Sequence, residues 1–235
     1  MEFDKDLTAR QEARELARRA ETAQRKLAEL PQSQLDAIVE AVAKAFAAQA
    51  SALAEMAVQE TGFGNAEDKR AKNLFASQRV AEAVRGMKTV GILREVPEKK
   101  LWEIGVPVGV IAAIVPSTNP TSTVCYKAMI ALKSGNAIVF SPHPKAIACT
   151  RKAAQIVSEA AQAAGAPADA VACLSIPSLD GCQELMKAEP VRLILATGGP
   201  GMVKAAYSSG KHAIGVGAGN VPAYIHRCAD VANAL

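Results

Sequence analysis

The sequence has little of several features that would narrow its function at once. Aromatic residues make up 4% of the 235 residues, which leaves few rings on which nucleic-acid bases could stack. The 27 basic and 23 acidic residues are interspersed, so a nucleic-acid-binding patch is not predicted. No apolar run approaches the roughly 20 residues of a membrane span, and the N-terminus is too acidic for a signal peptide. We therefore expect a cytoplasmic globular protein with neither nucleic acid nor a membrane as its partner.

Disulfides and metal sites are also not predicted. The five cysteines are odd in number, widely spaced and never arranged as CxxC, whereas a disulfide framework or a zinc site would show paired or clustered cysteines. We expect free thiols at Cys125, Cys149, Cys173, Cys182 and Cys228.

The N-terminal part, residues 1–88, is predicted to be helical. Apolar residues between Leu35 and Phe46 recur at the spacing of a one-sided helix, with Ser33 as its expected N-cap. A further helix is expected from about Glu67 to Met87. Two short apolar runs then flank a polar turn, which predicts a β-ribbon over residues 89–104.

From about Val106 onward, short apolar runs alternate with helical stretches. This alternation is typical of a parallel sheet with crossover helices. We therefore predict an α/β fold, with a Rossmann-like parallel sheet and flanking helices over residues 105–235. A last helix is expected to begin near Ala229. Since ligands of such sheets bind at the carboxyl ends of the strands, a site is expected in the loops there.

The first two of these loops carry polar groups. Residues 115–123 include two prolines, Asn119 and five hydroxyl residues. They suit a capped helix start, with Thr121 or Ser122 as N-cap, and equally a loop whose Asn119 amide donates to a developing oxyanion. The second loop, residues 140–144, contains His143, and a lone loop histidine is more often solvated than catalytic.

Two glycine-rich loops follow. Residues 196–201 do not form a GxGxxG motif, but their glycines permit close approach to a ligand, and the next helix start favours an anion such as pyrophosphate. A tight strand-to-helix connection is the alternative. The cluster at residues 215–220 is open to interpretation as a bulge or as a ligand-facing turn.

Taken together, these segments resemble the aldehyde dehydrogenase family, and specifically its CoA-acylating branch. The resemblance extends over essentially the whole chain, and several segments in one order are far more specific than any single glycine motif. The segments are Glu60–Gly64, Ile114–Lys127, Lys133–Pro144, Leu195–Tyr207 and Ile214–Pro222.

The resemblance implies NAD-dependent oxidation of a small aldehyde to an acyl-CoA, or the reverse reduction, through a cysteine thioester. NADP is not excluded, because Ser141 and Pro144 stand where hydrolytic relatives carry a lysine and a glutamate that grip the ribose. Asn119 would stabilise the oxyanion. The implied coenzyme-binding residues are Ile114, Val115, Pro116, Ser117, Thr118, Asn119, Ser141, Pro142, His143, Thr197, Gly198, Gly199 and Gly217.

The resemblance also implies CoA, rather than water, as the acyl acceptor. The glutamate that activates water in hydrolytic relatives corresponds to Gly215, and no carboxylate lies between Lys204 and Asp230. Without a general base water is difficult to activate, whereas a thiol is already a good nucleophile.

The family's nucleophilic cysteine would lie beyond Leu235, past the asparagine matched by Asn220. None of the five cysteines present corresponds to it, and Cys125 is expected to pack in the core. We therefore expect the 235-residue chain to provide the coenzyme domain without turnover, and to form a homo-oligomer through the ribbon, in the cytoplasm or a bacterial microcompartment. A regulatory nucleotide-binding module and an acyl-phosphate reductase are the alternatives.

Overall fold

The computed structural model of the chain describes residues 4–219 and 221–234. A π-helical turn, Phe75–Arg79, joins α4 to α5, and a short 3-10 turn, Pro97–Lys99, joins β1 to β2. The helices are α1 Lys5–Leu27, α2 Gln32–Ala48, α3 Ala50–Thr61, α4 Ala66–Leu74, α5 Val80–Val84, α6 Pro120–Lys133, α7 Ile147–Ala163, α8 Leu179–Lys187, α9 Pro200–Tyr207 and α10 Val231–Ala234. The strands are β1 Gly91–Val96, β2 Leu101–Gly105, β3 Val110–Ile114, β4 Ala137–Ser141, β5 Val171–Cys173, β6 Val191–Thr197 and β7 His212–Val216.

Five strands form one parallel sheet in the order β5-β4-β3-β6-β7. The chain winds outward from β3 to β5, then crosses back to β6 and winds outward again to β7. The direction of winding reverses between β3 and β6, which is the switch point where doubly wound sheets open a ligand crevice. The predicted fold class, with its parallel sheet, flanking helices, helical N-terminal segment and β-ribbon, is confirmed.

The centre of the sheet is covered on both faces. Every residue of β3 and β4 is buried, and these strands read as continuous apolar runs because neither face meets water. Helices α2, α6 and α7 pack together on one side, while α1 packs against α8 and β4. The stripe that α1 buries is almost entirely alanine, which permits a close approach: Ala9, Ala13, Ala17, Ala20, Ala23 and Leu27.

Several predicted boundaries are wrong for local reasons. Pro31, not Ser33, occupies the N-cap position of α2. The helix expected over residues 67–87 contains the π turn, within which the Ser77 hydroxyl donates to the carbonyl of Asn73 at 2.8 Å, and such back-bonding competes with the regular helical ladder.

The fifth strand is also shorter than the run over residues 171–176 suggests. The Glu12 carboxylate accepts the backbone N–H groups of Ser175 and Ile176 at 2.7 and 3.0 Å. Those two N–H groups are therefore taken from the sheet, and β5 ends at Cys173. The last helix starts at Val231 rather than Ala229, and Leu235, where we expected it to continue, lies outside the described residues.

The ribbon consists of β1 and β2, which pair antiparallel with an irregularity between Ile92 and Arg94. Arg94 forms an ion pair with Glu103 across the two strands. The apolar side chains of the ribbon are largely exposed, and that of Trp102 is 65% exposed.

No single helix within the described ranges is long and apolar enough to span a membrane. Helices α2 and α3 pass this test of length and composition only when they are taken together, and they are bent by 64° relative to each other.

Candidate nucleotide-binding site

A cleft opens at the carboxyl ends of the strands, at the switch point between β3 and β6. Its volume is about 240 Å³. Many of the residues expected to contact a coenzyme line it: Ile114, Val115, Pro116, Ser141, Pro142, His143, Thr197, Gly198 and Gly199. The rest of its lining consists of Pro144, Ser178, Leu179, Cys182 and Met202.

The first loop leaves the cleft after Pro116. Ser117, Thr118 and Asn119 lie outside the lining, so the structure does not bring these three predicted residues to the nucleotide side. The loop instead runs along helix α4. This separates the expected oxyanion donor, Asn119, from the expected coenzyme contacts.

Helix α6 begins differently from our expectation. Asn119 holds the N-cap position and Pro120 the first helical position, where proline is favoured because its fixed φ suits the helix and that position needs no N–H partner. The prediction that Thr121 or Ser122 caps the helix is therefore wrong. The Thr121 hydroxyl donates to the side-chain oxygen of Asn73 at 2.8 Å instead.

Two lysines of α4 hold the end of the first loop. Lys69 Nζ donates to the carbonyl oxygen of Thr118 at 2.7 Å, and Lys72 Nζ donates to Oδ1 of Asn119 at 3.2 Å. Burial and the nearby charge of Lys72 lower the pKa of Lys69. Because Lys72 engages the amide oxygen of Asn119, the amide nitrogen is the atom left to donate elsewhere.

The second loop contributes neutral side chains, rather than charged ones, to the wall of the cleft. Ser141 and Pro142 are buried, and the Nδ1 atom of His143 accepts the backbone N–H of Lys145 at 3.0 Å. Burial and the charge of Lys145 lower the pKa of His143, so this ring is neutral near pH 7 and keeps its proton on Nε2. It offers the cleft a neutral polar group.

Helix α7, which follows this loop, has its first N–H groups satisfied from within the chain. The Glu60 carboxylate accepts the N–H groups of Ala148 and Cys149 at 2.7 and 2.8 Å. Burial alone would raise the pKa of Glu60, but these hydrogen bonds outweigh it and lower the pKa. The start of α7 is therefore already occupied by an anion of the protein itself.

The third loop connects β6 directly to α9. The N–H of Gly198 donates to the carbonyl of Val216 at 3.1 Å, and Gly199 occupies the N-cap position of α9 with an ordinary negative φ. A Cβ atom at Gly199 would meet nothing within 4 Å. Neither backbone conformation nor packing within the chain requires glycine here, which leaves close approach of a ligand as a physical reason.

Sequence reasoning missed one wall of the cleft. Ser178, Leu179 and Cys182 come from the start of α8, and Met202 comes from the first turn of α9. We searched the loops after strands, whereas these residues belong to helices. A signal was present, because Ser178 is an N-cap whose hydroxyl accepts the N–H of Gly181 at 2.9 Å, and this places a helix start beside the sheet edge.

The position expected to correspond to the general base of hydrolytic relatives is closed. A Cβ atom on Gly215 would lie 2.6 Å from Cγ1 of Val203 and 2.8 Å from Cε2 of Tyr207. The N–H of Gly215 donates to the hydroxyl of Tyr207 at 3.0 Å. The Tyr207 ring thus stands where a longer side chain would have to pass.

The cysteines are mostly inert thiols. Cys125 is fully buried, as expected, and burial raises its pKa. Burial also raises the pKa of Cys149 and Cys173 to about 12 and that of Cys182. Cys228 is exposed, and Nδ1 of His226 lies 2.6 Å from its Sγ atom.

One predicted coenzyme contact lies away from the cleft. Gly217 is exposed and outside the cleft lining, and Asn220 lies outside the described residues. Within the part of the chain that the structure describes, no three His, Cys, Asp or Glu side chains group as metal ligands.

A doubly wound parallel sheet with a cleft at its switch point is typical of α/β proteins that bind a ligand at the carboxyl ends of their strands. Residues 5–235 match the model of the aldehyde dehydrogenase family. The chain belongs to that family.

Two of the most similar proteins are acylating or bifunctional enzymes. The chain is 51% identical to the bifunctional aldehyde-alcohol dehydrogenase AdhE of Escherichia coli over 94% of its own length and 25% of that protein. It is 55% identical to an acetylating aldehyde dehydrogenase of Geobacillus thermoglucosidasius, whose structure it matches with a TM-score of 0.92 over 98% of this chain and 51% of that one.

A third relative carries ligands. A propionaldehyde dehydrogenase of Rhodopseudomonas palustris, solved with bound CoA and an acylated cysteine, is 32% identical, with a TM-score of 0.76 over 88% of this chain and 47% of that one. The chain thus spans about a quarter to a half of the length of the relatives it matches.

Proposed function

We propose that this chain supplies the coenzyme-binding part of an enzyme that oxidises a small aldehyde to an acyl-CoA with NAD, or runs the reverse reduction, through a cysteine thioester. The observation that carries the proposal is the cleft between β3 and β6. Three strand-end loops that resemble those of acylating aldehyde dehydrogenases converge on it, in a chain that is 55% identical to such an enzyme.

The cleft suits one end of a dinucleotide. Its volume of about 240 Å³ lies just below the roughly 300–1,000 Å³ of pockets that hold a whole small molecule, so it would take a nucleoside-sized part. Leu179 and Met202 offer apolar surface to a base, and the N-terminus of α9 at Gly199 offers N–H groups to pyrophosphate. NAD would supply the hydride acceptor.

The second loop is compatible with either coenzyme. Ser141, Pro142, His143 and Pro144 place no carboxylate on the cleft that would repel a 2′-phosphate. NAD is proposed as the coenzyme, and NADP is compatible with the same wall.

The acyl acceptor follows from the closed position at Gly215. A carboxylate there would have to displace the ring of Tyr207 and the side chain of Val203. Water would therefore lack a general base at that place, and a CoA thiol, which needs less activation, is the acceptor that this geometry favours.

Asn119 is the proposed oxyanion donor. Its amide oxygen accepts from Lys72 and its amide nitrogen donates to Oγ1 of Thr118 at 3.5 Å, so the second N–H of the amide nitrogen is left to donate to an oxyanion. An amide N–H aimed at a developing oxyanion is worth about 3 kcal/mol where it has been removed in other enzymes.

The exposed apolar residues of the ribbon support a homo-oligomer contact there. A location in the cytoplasm or in a microcompartment is proposed together with this reaction.

The first test is calorimetric titration of the chain with NAD, NADP and CoA. Leu179→Glu replaces apolar surface offered to the base with a carboxylate and should weaken NAD binding about tenfold or more, because that charge loses its water when the base covers it. Leu7→Glu is the matched control, since Leu7 is a similarly exposed leucine in the first turn of a helix and is not part of the cleft lining. Absence of NAD binding, or equal effects of both variants, would contradict the coenzyme site.

The second test is an assay of the full-length protein with aldehyde, NAD and CoA. We expect NAD reduction to depend on CoA. Equal rates with and without CoA would contradict the proposed acceptor without affecting the coenzyme site.

A further inference from the structure

Lys127 is a buried lysine that ties two strands of the sheet together. It lies in the middle of α6 and is 2% exposed. Its Nζ atom donates to the carbonyl oxygen of Ile114 at 2.9 Å and to that of Leu195 at 2.8 Å. These carbonyls belong to β3 and β6, which are neighbours at the switch point.

Both carbonyls lie at the base of the cleft. Ile114 is part of the cleft lining, and Leu195 precedes the lining residue Thr197 by two positions on the same strand. The Lys127 side chain itself does not line the cleft. It can therefore influence a ligand only through the strand ends and the two loops that leave them.

The burial of this amine is unfavourable and is not offset by an ion pair. Burial lowers the pKa of Lys127 to about 7, as expected for an ammonium group removed from water. Lys133, on the same helix, is buried to a similar extent but forms an ion pair with Asp36. Lys127 instead has two backbone acceptors, and a lysine amine keeps two N–H donors for them even when it is deprotonated.

We infer that Lys127 is a positioning residue for nucleotide binding, whose amine holds the ends of β3 and β6 at the separation that the cleft requires. The inference rests on the proposed coenzyme site. A binding site tolerates displacements of only about 0.5 Å. Loss of the bridge moves two adjacent strand ends, and the two walls of the cleft then no longer fit the same ligand.

The test compares NAD affinity in the wild-type chain, Lys127→Met and Lys127→Gln at a temperature where circular dichroism shows all of them folded. Lys127→Met removes both donors and should raise the Kd for NAD by roughly tenfold. Lys127→Gln retains an N–H₂ group and should recover part of the affinity. Lys133→Met is the matched control, because it removes another buried lysine of α6 without touching β3 or β6, and its Kd should stay within twofold of the wild type.

A merely structural lysine would lower stability without changing the Kd of the folded chain. An unchanged Kd in Lys127→Met, or an equal rise in Lys133→Met, would overturn the inference. If Lys127→Met does not fold, the wild-type chain decides: with ¹³C-labelled lysine, NAD should shift the Cε resonance of Lys127 and not that of Lys133, and no shift at Lys127 overturns it. Failure of the wild-type chain to bind NAD would instead reject the proposed function itself.

Discussion

The two halves of the parallel sheet differ in how completely they are covered. Every residue of β4 is buried beneath helices, whereas the residues of β7 alternate between half-buried and exposed, and Ile214 is 58% exposed. The cleft lies between the covered half, formed by β3, β4 and β5, and the open half, formed by β6 and β7. The covered half therefore holds the folding free energy, while the open half offers surface and backbone groups for binding, in line with the low local stability of many binding regions.

The largest expected effect is loss of packing in the covered half. Phe140 lies in β4 and is fully buried, so Phe140→Ala should lower the free energy of unfolding by about 3–5 kcal/mol in urea denaturation. Ile214→Ala in β7 is the matched change in the open half and should cost about 1 kcal/mol or less. Similar losses at the two positions would remove the distinction between the halves.

The next effect tests the tight contact at Gly215 in the open half. Gly215→Glu forces the Tyr207 ring away and should lower the free energy of unfolding by about 1–3 kcal/mol. In a Tyr207→Ala background the same substitution should cost clearly less, because part of the obstructing side chain is gone. An equal cost in both backgrounds would show that Tyr207 does not close this position.

The boundary between the halves should show a pH dependence. The pKa of Lys127 is about 7 in the folded chain, below its ordinary value of 10.5, so the unfolded chain binds more protons between these values and stability rises with pH. Above about 9 the buried cysteines, whose folded pKa values are raised, oppose this trend.

Between pH 7 and 9 we therefore expect the free energy of unfolding to increase by roughly 1–2 kcal/mol. Lys127→Met should flatten that increase, and Lys133→Met should not. If the free energy of unfolding of the wild-type chain stayed constant or decreased between pH 7 and 9, burial would not lower the pKa of Lys127 as described.

Short apolar runs predicted strands in both halves, and an error in strand length occurs at β5, in the covered half. Continuous apolar runs identified β3 and β4, and the alternation of elements identified the parallel sheet. Its strand order was not predictable, because pairing of β3 with β6 depends on residues about 80 positions apart that carry no local signal.

The site was predictable only where it follows strands. The loops at Ile114, Ser141 and Thr197 were found, whereas Lys69 and Lys72 were not, since lysines are common in helical stretches and their contacts with the first loop span almost fifty residues. Lys127 did carry a signal, because it is a lone charge within an apolar helix stretch. The amine of such a residue must hydrogen-bond to buried acceptors, because otherwise burial of that helix face is too unfavourable.

The smallest expected effect on stability separates folding from binding in the open half. Gly199→Ala adds a methyl group where nothing lies within 4 Å and where φ is negative, so the free energy of unfolding should change by less than about 0.5 kcal/mol. The same methyl group would stand in the path of a pyrophosphate at the start of α9, and the Kd for NAD should rise several-fold by calorimetry. Gly219→Ala, at an equally open glycine outside the cleft lining, should change neither quantity. Equal affinities in the two variants would mean that the glycine at position 199 reflects chain flexibility rather than contact with a ligand.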